Sequence, residues 1–332
     1  MENASTQPKS QATVAVWAID PLEAEAMPSP ALVQEVLNRL RVAGAEIQPV
    51  HVLSTPKDNE GRPLAGVGLS RYIETVEKMA ERYVEHLGMT GARPVKVLVA
   101  GASRHDEVKT LVDYIEAQRA PWVIVTSQGR SGVQRLVMGS FAENLLLRCG
   151  CPVLFLTHAR FEQNKIKRVL FATDFSDYSK HAFRLFLADA KRFGLEVSLF
   201  HSVSLPASVC SSGDGAPVVV PENYFQEQVE WAKVEATGWI KLAESYGVPA
   251  KFLVKDEGFA PHTADTIIKF AKQESVGAIV MASMSGALSS FVMGSVAREV
   301  FRANQYPVWI YGPKALEGKD RAQESAGKSA TA

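Results

Sequence analysis

The chain has 332 residues, which is too long for one typical domain core and enough for two domains of ordinary size. Lys plus Arg and Asp plus Glu both number 36, and this balance argues against a large surface for binding nucleic acid or anionic membranes. The amino-terminal stretch lacks the apolar core of a signal peptide, and no apolar run approaches the length of a membrane span. We therefore expect a cytoplasmic protein with no nucleic-acid or membrane partner.

Short β-branched runs alternate with longer helical patterns along the chain, which is typical of βαβ units and a parallel sheet. In the first half we predict strands at 13–19, 46–53, 94–101, 121–126 and 152–157, with helices at 29–43, 68–88, 106–118 and 140–149. In the second half we predict strands at 167–173, 195–203, 249–254, 277–282 and 307–311, with helices at 177–193, 222–246, 262–274 and 295–304. The predicted fold class is α/β, as two tandem doubly wound, five-stranded, Rossmann-like domains.

The two halves repeat each other. Gly139-Ser140 aligns with Gly294-Ser295 at an offset of 155 residues, and Pro152 aligns with Pro307 at the same offset. Two tandem copies of one domain explain these offsets. We predict a disordered amino terminus at 1–11, domains at 12–160 and 165–313, and a disordered tail at 314–332, which has little to bury.

The chain contains three cysteines, Cys149, Cys151 and Cys210. They are too few for a disulfide framework, and Cys149-Gly150-Cys151 lacks the second ligand pair of a structural zinc site. We expect reduced, partly buried thiols and no metal site.

The loop after the fourth strand of the first half is rich in small residues. It contains Gly129, followed after nine residues by Gly139-Ser140 at the start of a helix. Glycines let backbone N–H groups turn toward a bound anion, and a helix N-terminus adds unpaired donors. The same residues also suit a tight turn and a helix cap without any ligand, so both interpretations stay open at this point.

The stretch "TSQGRSGVQRLVMGS" resembles the nucleotide-loop signature of the universal stress protein family, in which two glycines separated by two residues precede nine residues and a Gly-Ser pair. Thr126 replaces the first glycine here. The resemblance extends through "ATDFSDYS", "SLFHSV", "CPVLFL" and "YPVWIY", and covers nearly everything between residues 12 and 313. The chain is thus similar to a tandem universal stress protein.

In ATP-binding members of that family, the strand-one Asp and the strand-two backbone contact adenine and ribose, and the glycine loop holds the phosphates. The resemblance implies ATP, with Mg if bound, in the first domain, because the second loop is one residue shorter. The implied first-domain positions are Asp20, Val52, Val125, Thr126, Gly129, Arg130, Gly139, Ser140 and Phe141. The matching second-domain positions are Thr173, Asp174, Ser202, Ala282, Gly294, Ser295 and Val296.

The sequence lacks a Walker lysine and a carboxylate or histidine pair at catalytic spacing, and Arg130 is the one candidate for stabilising developing charge. We expect a nucleotide-responsive stress-response or signalling module that is not an enzyme. Two alternatives stay open, a ligand-free scaffolding module with an unknown protein partner and a slow ATP hydrolase. Family dimers pair through their last strands, so the resemblance implies that the two apolar last strands of this chain pair with each other.

Overall fold

The structure is a computed structural model that describes residues 13–22, 28–56, 62–63, 65–126, 140–156, 165–203, 221–256, 263–283 and 294–317. Its first half contains β1 (Thr13–Ala18), α1 (Pro30–Val42), β2 (Ala45–Ser54), α2 (Gly66–His86), β3 (Lys96–Ala100), α3 (Arg104–Ala117), β4 (Trp122–Thr126), α4 (Ser140–Arg148) and β5 (Val153–Leu156). Its second half contains β6 (Arg168–Ala172), α5 (Asp177–Arg192), β7 (Glu196–Val203), α6 (Tyr224–Tyr246), β8 (Ala250–Asp256), α7 (Thr263–Gln273), β9 (Ala278–Ala282), α8 (Ser295–Ala303) and β10 (Val308–Tyr311). Each predicted strand and helix is present, with its bounds within two residues of the prediction.

The ten strands form one sheet in the order β3-β2-β1-β4-β5-β10-β9-β6-β7-β8. All neighbours within each half are parallel. The halves join where β5 and β10 run antiparallel, with Phe155 opposite Val308 and Val153 opposite Ile310. The predicted fold class of two tandem, doubly wound, five-stranded parallel sheets is confirmed.

Helices cover both faces of the sheet, and each face has its own apolar cluster. In β1, Ala15 and Trp17 belong to one cluster, whereas Val14 and Val16 belong to the other. Successive side chains of a strand point to opposite faces, so a strand buried on both sides is apolar throughout. Residues of α1, α2, α5 and α6 contribute to the first cluster, and residues of α3, α4, α7 and α8 to the second. Each cluster contains residues of both halves, so the cores are continuous across the junction.

Polar contacts also join the two halves at this junction. The buried carboxylate of Asp189 on α5 accepts hydrogen bonds from Trp122 Nε1 at 3.0 Å and from the Tyr311 hydroxyl at 3.2 Å. Burial and the neighbouring Asp189 charge raise the pKa of Tyr311 well above its usual range. Arg192 donates to the Ala43 carbonyl at the end of α1, and Arg39 donates to the Phe193 carbonyl at the end of α5. Positive side chains thus meet the carbonyl ends of two helices, where the helix dipole favours them.

The carboxyl-terminal prediction needs a correction. Residues 313–317 are helical, and Ala315 and Leu316 are buried. Lys314 Nζ pairs with Glu116 Oε1 of α3 at 2.6 Å. The predicted start of the disordered tail at 314 is therefore wrong by at least four residues, because these two apolar side chains find a place in the core. Residues 318–332 and the predicted disordered segment 1–11 lie outside the described residues.

No helix within the described ranges is long and apolar enough to cross a membrane.

Candidate functional site

A cleft opens in the second half at the carboxyl ends of β6, β7 and β9, and its volume is about 240 Å³. In open α/β sheets this edge is where ligands bind. Six of the seven residues predicted for the second domain line the cleft: Thr173, Asp174, Ser202, Ala282, Gly294 and Val296. The seventh, Ser295, is the exposed first residue of α8. The fold therefore brings together residues that lie more than 100 positions apart in the sequence.

Asp174 organises the turn that leads from β6 into α5. Its Oδ1 accepts hydrogen bonds from the Ser176 backbone N–H at 3.0 Å, the Ser176 hydroxyl at 2.6 Å and the Ser179 hydroxyl at 2.6 Å. Ser176 is also the N-cap of α5, and its hydroxyl accepts from the Ser179 N–H at 3.2 Å. The carboxylate is exposed and held in one orientation by these donors.

Phe175 follows with a φ of +59°, which L-residues other than Gly, Asn and Asp rarely adopt. Its N–H donates to Thr173 Oγ1 at 2.9 Å. Its ring packs against the rings of His201, Trp231 and Trp239 at centroid distances of 4.8, 5.7 and 5.3 Å. Ring packing and this hydrogen bond offset the cost of the left-handed backbone.

His201 lies on the wall of the cleft beside Ser202. Its Nδ1 is 2.8 Å from the Thr173 carbonyl oxygen, which can only accept, so Nδ1 carries the proton and donates. Burial lowers the pKa of His201 below its usual 6.5, although this hydrogen bond and the Asp174 charge act in the opposite direction. At neutral pH the cleft wall therefore presents a neutral imidazole.

The N-terminus of α8 forms the other side of the cleft. The Gly294 N–H donates to the Ser283 carbonyl at 2.7 Å, and the Ser283 N–H donates to the Tyr311 carbonyl at 3.0 Å. Gly294 occupies the N-cap position and supplies no side-chain cap. The first N–H groups of a helix have no partner within it, so an uncapped N-terminus favours an anion.

The first half has an equivalent edge with a different arrangement. His51 Nδ1 donates to the Ile19 carbonyl at 3.0 Å and lies 4.0 Å from Asp20 Oδ1. Asp20 Oδ1 accepts from the Leu22 N–H at 3.2 Å. The buried hydroxyl of Thr126 donates to the Ala18 carbonyl at 3.1 Å, so this side chain holds β4 to β1.

The other predicted first-half positions differ in where the structure places them. Val52, Val125 and Phe141 are partly buried and pack against the same apolar cluster. Ser140 is the first residue of α4. Gly129, Arg130 and Gly139 lie outside the described residues, as do 127–128 and 131–138 between them.

Several cleft residues were missed by the sequence reasoning. Ser179 and His201 line the cleft, and so do Thr263 and Ser283. Ser179 stands within the quoted "TDFSDYS" and could have been found from its spacing to Asp174. His201 is absent from the predicted positions because the sequence does not show which side of its ring faces the cleft. Within the described ranges, no three His, Cys, Asp or Glu side chains are placed to hold a metal ion.

The universal stress protein family matches the chain twice, at residues 18–156 and 165–312. A universal stress protein of Methanocaldococcus jannaschii is 28% identical over 149 residues, which are 45% of this chain and 83% of that protein. The crystal structure of a universal stress protein from Archaeoglobus fulgidus aligns over 90% of this chain and 95% of that chain, with a TM-score of 0.60 and 18% identity. A functionally unknown protein of Pseudomonas aeruginosa aligns over 95% of this chain and 98% of that chain, with a TM-score of 0.56 and 13% identity. At these identities the structural likeness shows the fold.

Proposed function

Because the chain belongs to the universal stress protein family and contains two of its domains, we propose that it is a stress-response or signalling module that binds adenine nucleotides. The observation that carries the proposal is the cleft of the second half, where residues at the family's nucleotide-contacting positions line one cavity. We place the domains at 12–160 and 165–313, with the helical residues 314–317 added to the second domain. These ranges enclose both matched ranges. A cytoplasmic location stays a prediction.

The two halves are proposed to hold different parts of a nucleotide. The first keeps Gly129 and the nine-residue spacing to Gly139-Ser140, so its loop is suited to the phosphates of ATP. Any magnesium would come with those phosphates, as the ion usually does at phosphate sites. Arg130, adjacent to Gly129, would add positive charge there.

The second half keeps the strand-one Asp and the strand-two position that contact adenine and ribose in ATP-binding members of the family. Its cleft has the Asp174 turn, the neutral His201 and the uncapped α8, but its loop is one residue shorter. We therefore assign it a ligand with fewer phosphates, such as AMP.

Turnover is proposed to be absent or very slow. Backbone N–H groups and helix N-termini bind a phosphate equally well before and during phosphoryl transfer, so they do not by themselves accelerate the reaction. We expect ATP turnover far below the roughly 1–1,000 per second of ordinary enzymes. A turnover in that range, lost in Arg130→Ala with binding retained, would favour the hydrolase alternative.

The pairing of β5 with β10 supports a further part of the proposal. These strands cover each other's edges within one chain, which removes the edges that two single-domain chains would pair through. A protein partner, whose identity is not proposed, would then bind at a surface other than the paired edges of β5 and β10.

Calorimetric titration with ATP and with AMP tests the assignment. Gly129→Val should weaken ATP binding by about tenfold or more, since a β-branched side chain would occupy the phosphate position, and should leave AMP binding unchanged. Gly294→Val is the matched variant in the second half and should weaken AMP binding alone. Equal losses of both ligands in both variants would contradict the division. Failure of the unmodified protein to bind either nucleotide would favour the ligand-free scaffold.

A further inference from the structure

Cys149 and Cys151 form a buried pair of thiols where α4 leads into β5. Both are reduced thiols outside any disulfide, with exposed fractions of 1% and 6%. The Cys149 N–H donates to the Leu145 carbonyl at 2.8 Å, which closes the last turn of the helix. The two Sγ atoms lie 3.4 Å apart. This pair lies outside the candidate nucleotide sites and has no part in the proposed function.

The backbone between the sulfurs can accommodate a shorter separation. A disulfide bond is about 2.0 Å long, so the sulfurs must move together by about 1.4 Å. The intervening Gly150 is exposed, and a Cβ built on it would meet no atom within 4 Å. Gly150 therefore has both the conformational freedom and the surrounding space to change its backbone as the two sulfurs approach.

The surroundings favour the thiolate of Cys149, which is the reactive form of a cysteine. The hydrogen bond from Cys151 lowers the pKa of the Cys149 thiol against the effect of burial, while the Lys314 ammonium lowers this pKa and the Glu116 carboxylate raises it. Lys314 is positioned by its ion pair with Glu116. The helical turn 313–317 thus places the Lys314–Glu116 ion pair near the dithiol.

We propose that Cys149 and Cys151 are a peroxide-sensitive modification site that closes to an intramolecular disulfide. The Cys149 thiolate attacks one oxygen of hydrogen peroxide, the O–O bond breaks, and a sulfenic acid forms while the departing hydroxide takes up a proton to become water. Cys151 then attacks the sulfenic sulfur; the S–S bond forms, the S–O bond breaks, and the oxygen leaves as a second water with the Cys151 proton. The two thiols lose two electrons and two protons, and the peroxide is reduced to two waters. A small dithiol reductant returns both electrons and protons.

Peptide mass spectrometry on the full chain tests this site. The reduced protein is treated with hydrogen peroxide, free thiols are blocked with an alkylating reagent, and trypsin cuts after Arg148 and Arg160 to release residues 149–160 with both cysteines. We expect this peptide to lack two hydrogens and both alkyl groups, and to regain both alkylation sites after treatment with the dithiol. Recovery of the peptide fully alkylated, or oxidised to sulfinic acid, would overturn the proposal.

Three variants separate the roles of the cysteines. Cys210→Ser, which changes the third cysteine of the chain, should form the disulfide as the unmodified protein does. Cys151→Ser should stop at a sulfenic acid that a dimedone probe labels, and Cys149→Ser should lose that labelling. A disulfide that contains Cys210 would contradict the proposal. Mass spectrometry would detect that disulfide in the unmodified protein, so the test does not depend on whether the serine variants fold.

Discussion

The turns that follow β1 and β6 occupy equivalent places in the two halves, yet they differ in one decisive residue. Asp174 is followed by Phe175 at a φ of +59°, whereas Asp20 is followed by Pro21. The proline ring holds φ near −65°, so the first half cannot form the turn of the second. In the second half the Asp carboxylate collects three serine donors, and in the first it accepts from the Leu22 N–H. The two copies of the domain therefore share the same sheet but have different turns at the edge where ligands bind.

The histidines of β2 and β7 show the same divergence. Each donates Nδ1 to the carbonyl of the residue that precedes the strand-end Asp. His51 is 4% exposed and its Nε2 has no hydrogen-bond partner among the described residues, whereas His201 lines the cleft. The two histidines therefore share their backbone hydrogen bond but differ in whether the imidazole ring faces a cleft.

The largest expected effect concerns the cores of the two halves. Phe171 and Trp17 are equivalent and fully buried, and the Phe171 ring packs against Phe183 at a centroid distance of 4.9 Å. Phe171→Ala should lower the free energy of unfolding by about 3–5 kcal/mol, because it removes a large ring and leaves a cavity. Urea unfolding followed by circular dichroism measures the change.

Trp17→Phe is the matched substitution, since it gives the first half the residue of the second. It leaves a smaller cavity and also removes the buried Trp17 Nε1, which has no hydrogen-bond partner in the described structure. We expect a cost of about 1–2 kcal/mol. Both variants should unfold in one transition because the apolar clusters are continuous; two separate transitions would contradict that continuity.

A smaller effect is expected at the turn itself. Phe175→Pro should cost about 2–3 kcal/mol, since proline cannot reach a φ of +59° and loses the N–H that donates to Thr173 Oγ1. It should also weaken AMP binding and leave ATP binding intact. The control is Pro21→Ala in the first half, where a loss below about 1 kcal/mol is expected. Equal stability of Phe175→Pro and the unmodified protein would show that the left-handed turn does not distinguish the halves.

The smallest effect is a pH dependence confined to the second half. The pKa of His201 is lowered from 6.5 by burial, so the unfolded chain takes up its proton at a higher pH than the folded chain. The stability contributed by the neutral imidazole is complete above pH 6.5 and is lost as the pH falls from 6.5 toward the lower pKa of the folded state. His201→Gln should flatten the plot of unfolding free energy against pH in that range.

The exposed His86 provides the control for this experiment, because His86→Gln also removes a histidine. An NMR titration of His201 in the folded protein should show a pKa below 6.5. A pKa at or above 6.5 would contradict the claim that burial keeps His201 neutral in the cleft wall.

Much of the fold could be predicted because local sequence patterns determine it. Both faces of the parallel strands are buried, so β1 and β4 are mostly apolar, whereas the helical stretches repeat their apolar residues with the period of a helix. The candidate site was predictable where the family pattern names a position, as at Asp174 and Gly294. Ser283 was missed because its place in the cleft depends on the hydrogen bond that its carbonyl accepts from the Gly294 N–H, eleven positions away in the sequence.

By itself, the sequence determined the repeated βαβ pattern, the two-domain organisation and the positions of the strand ends, since each depends on residue types within a short window. Tertiary structure decided that the two sheets become one, that Asp189 joins Trp122 to Tyr311 across the junction, and that Ala315 and Leu316 belong to the core. It also opened the cleft beside His201. These features depend on which surfaces meet in space, and burial and distance between remote residues leave no mark in the local sequence.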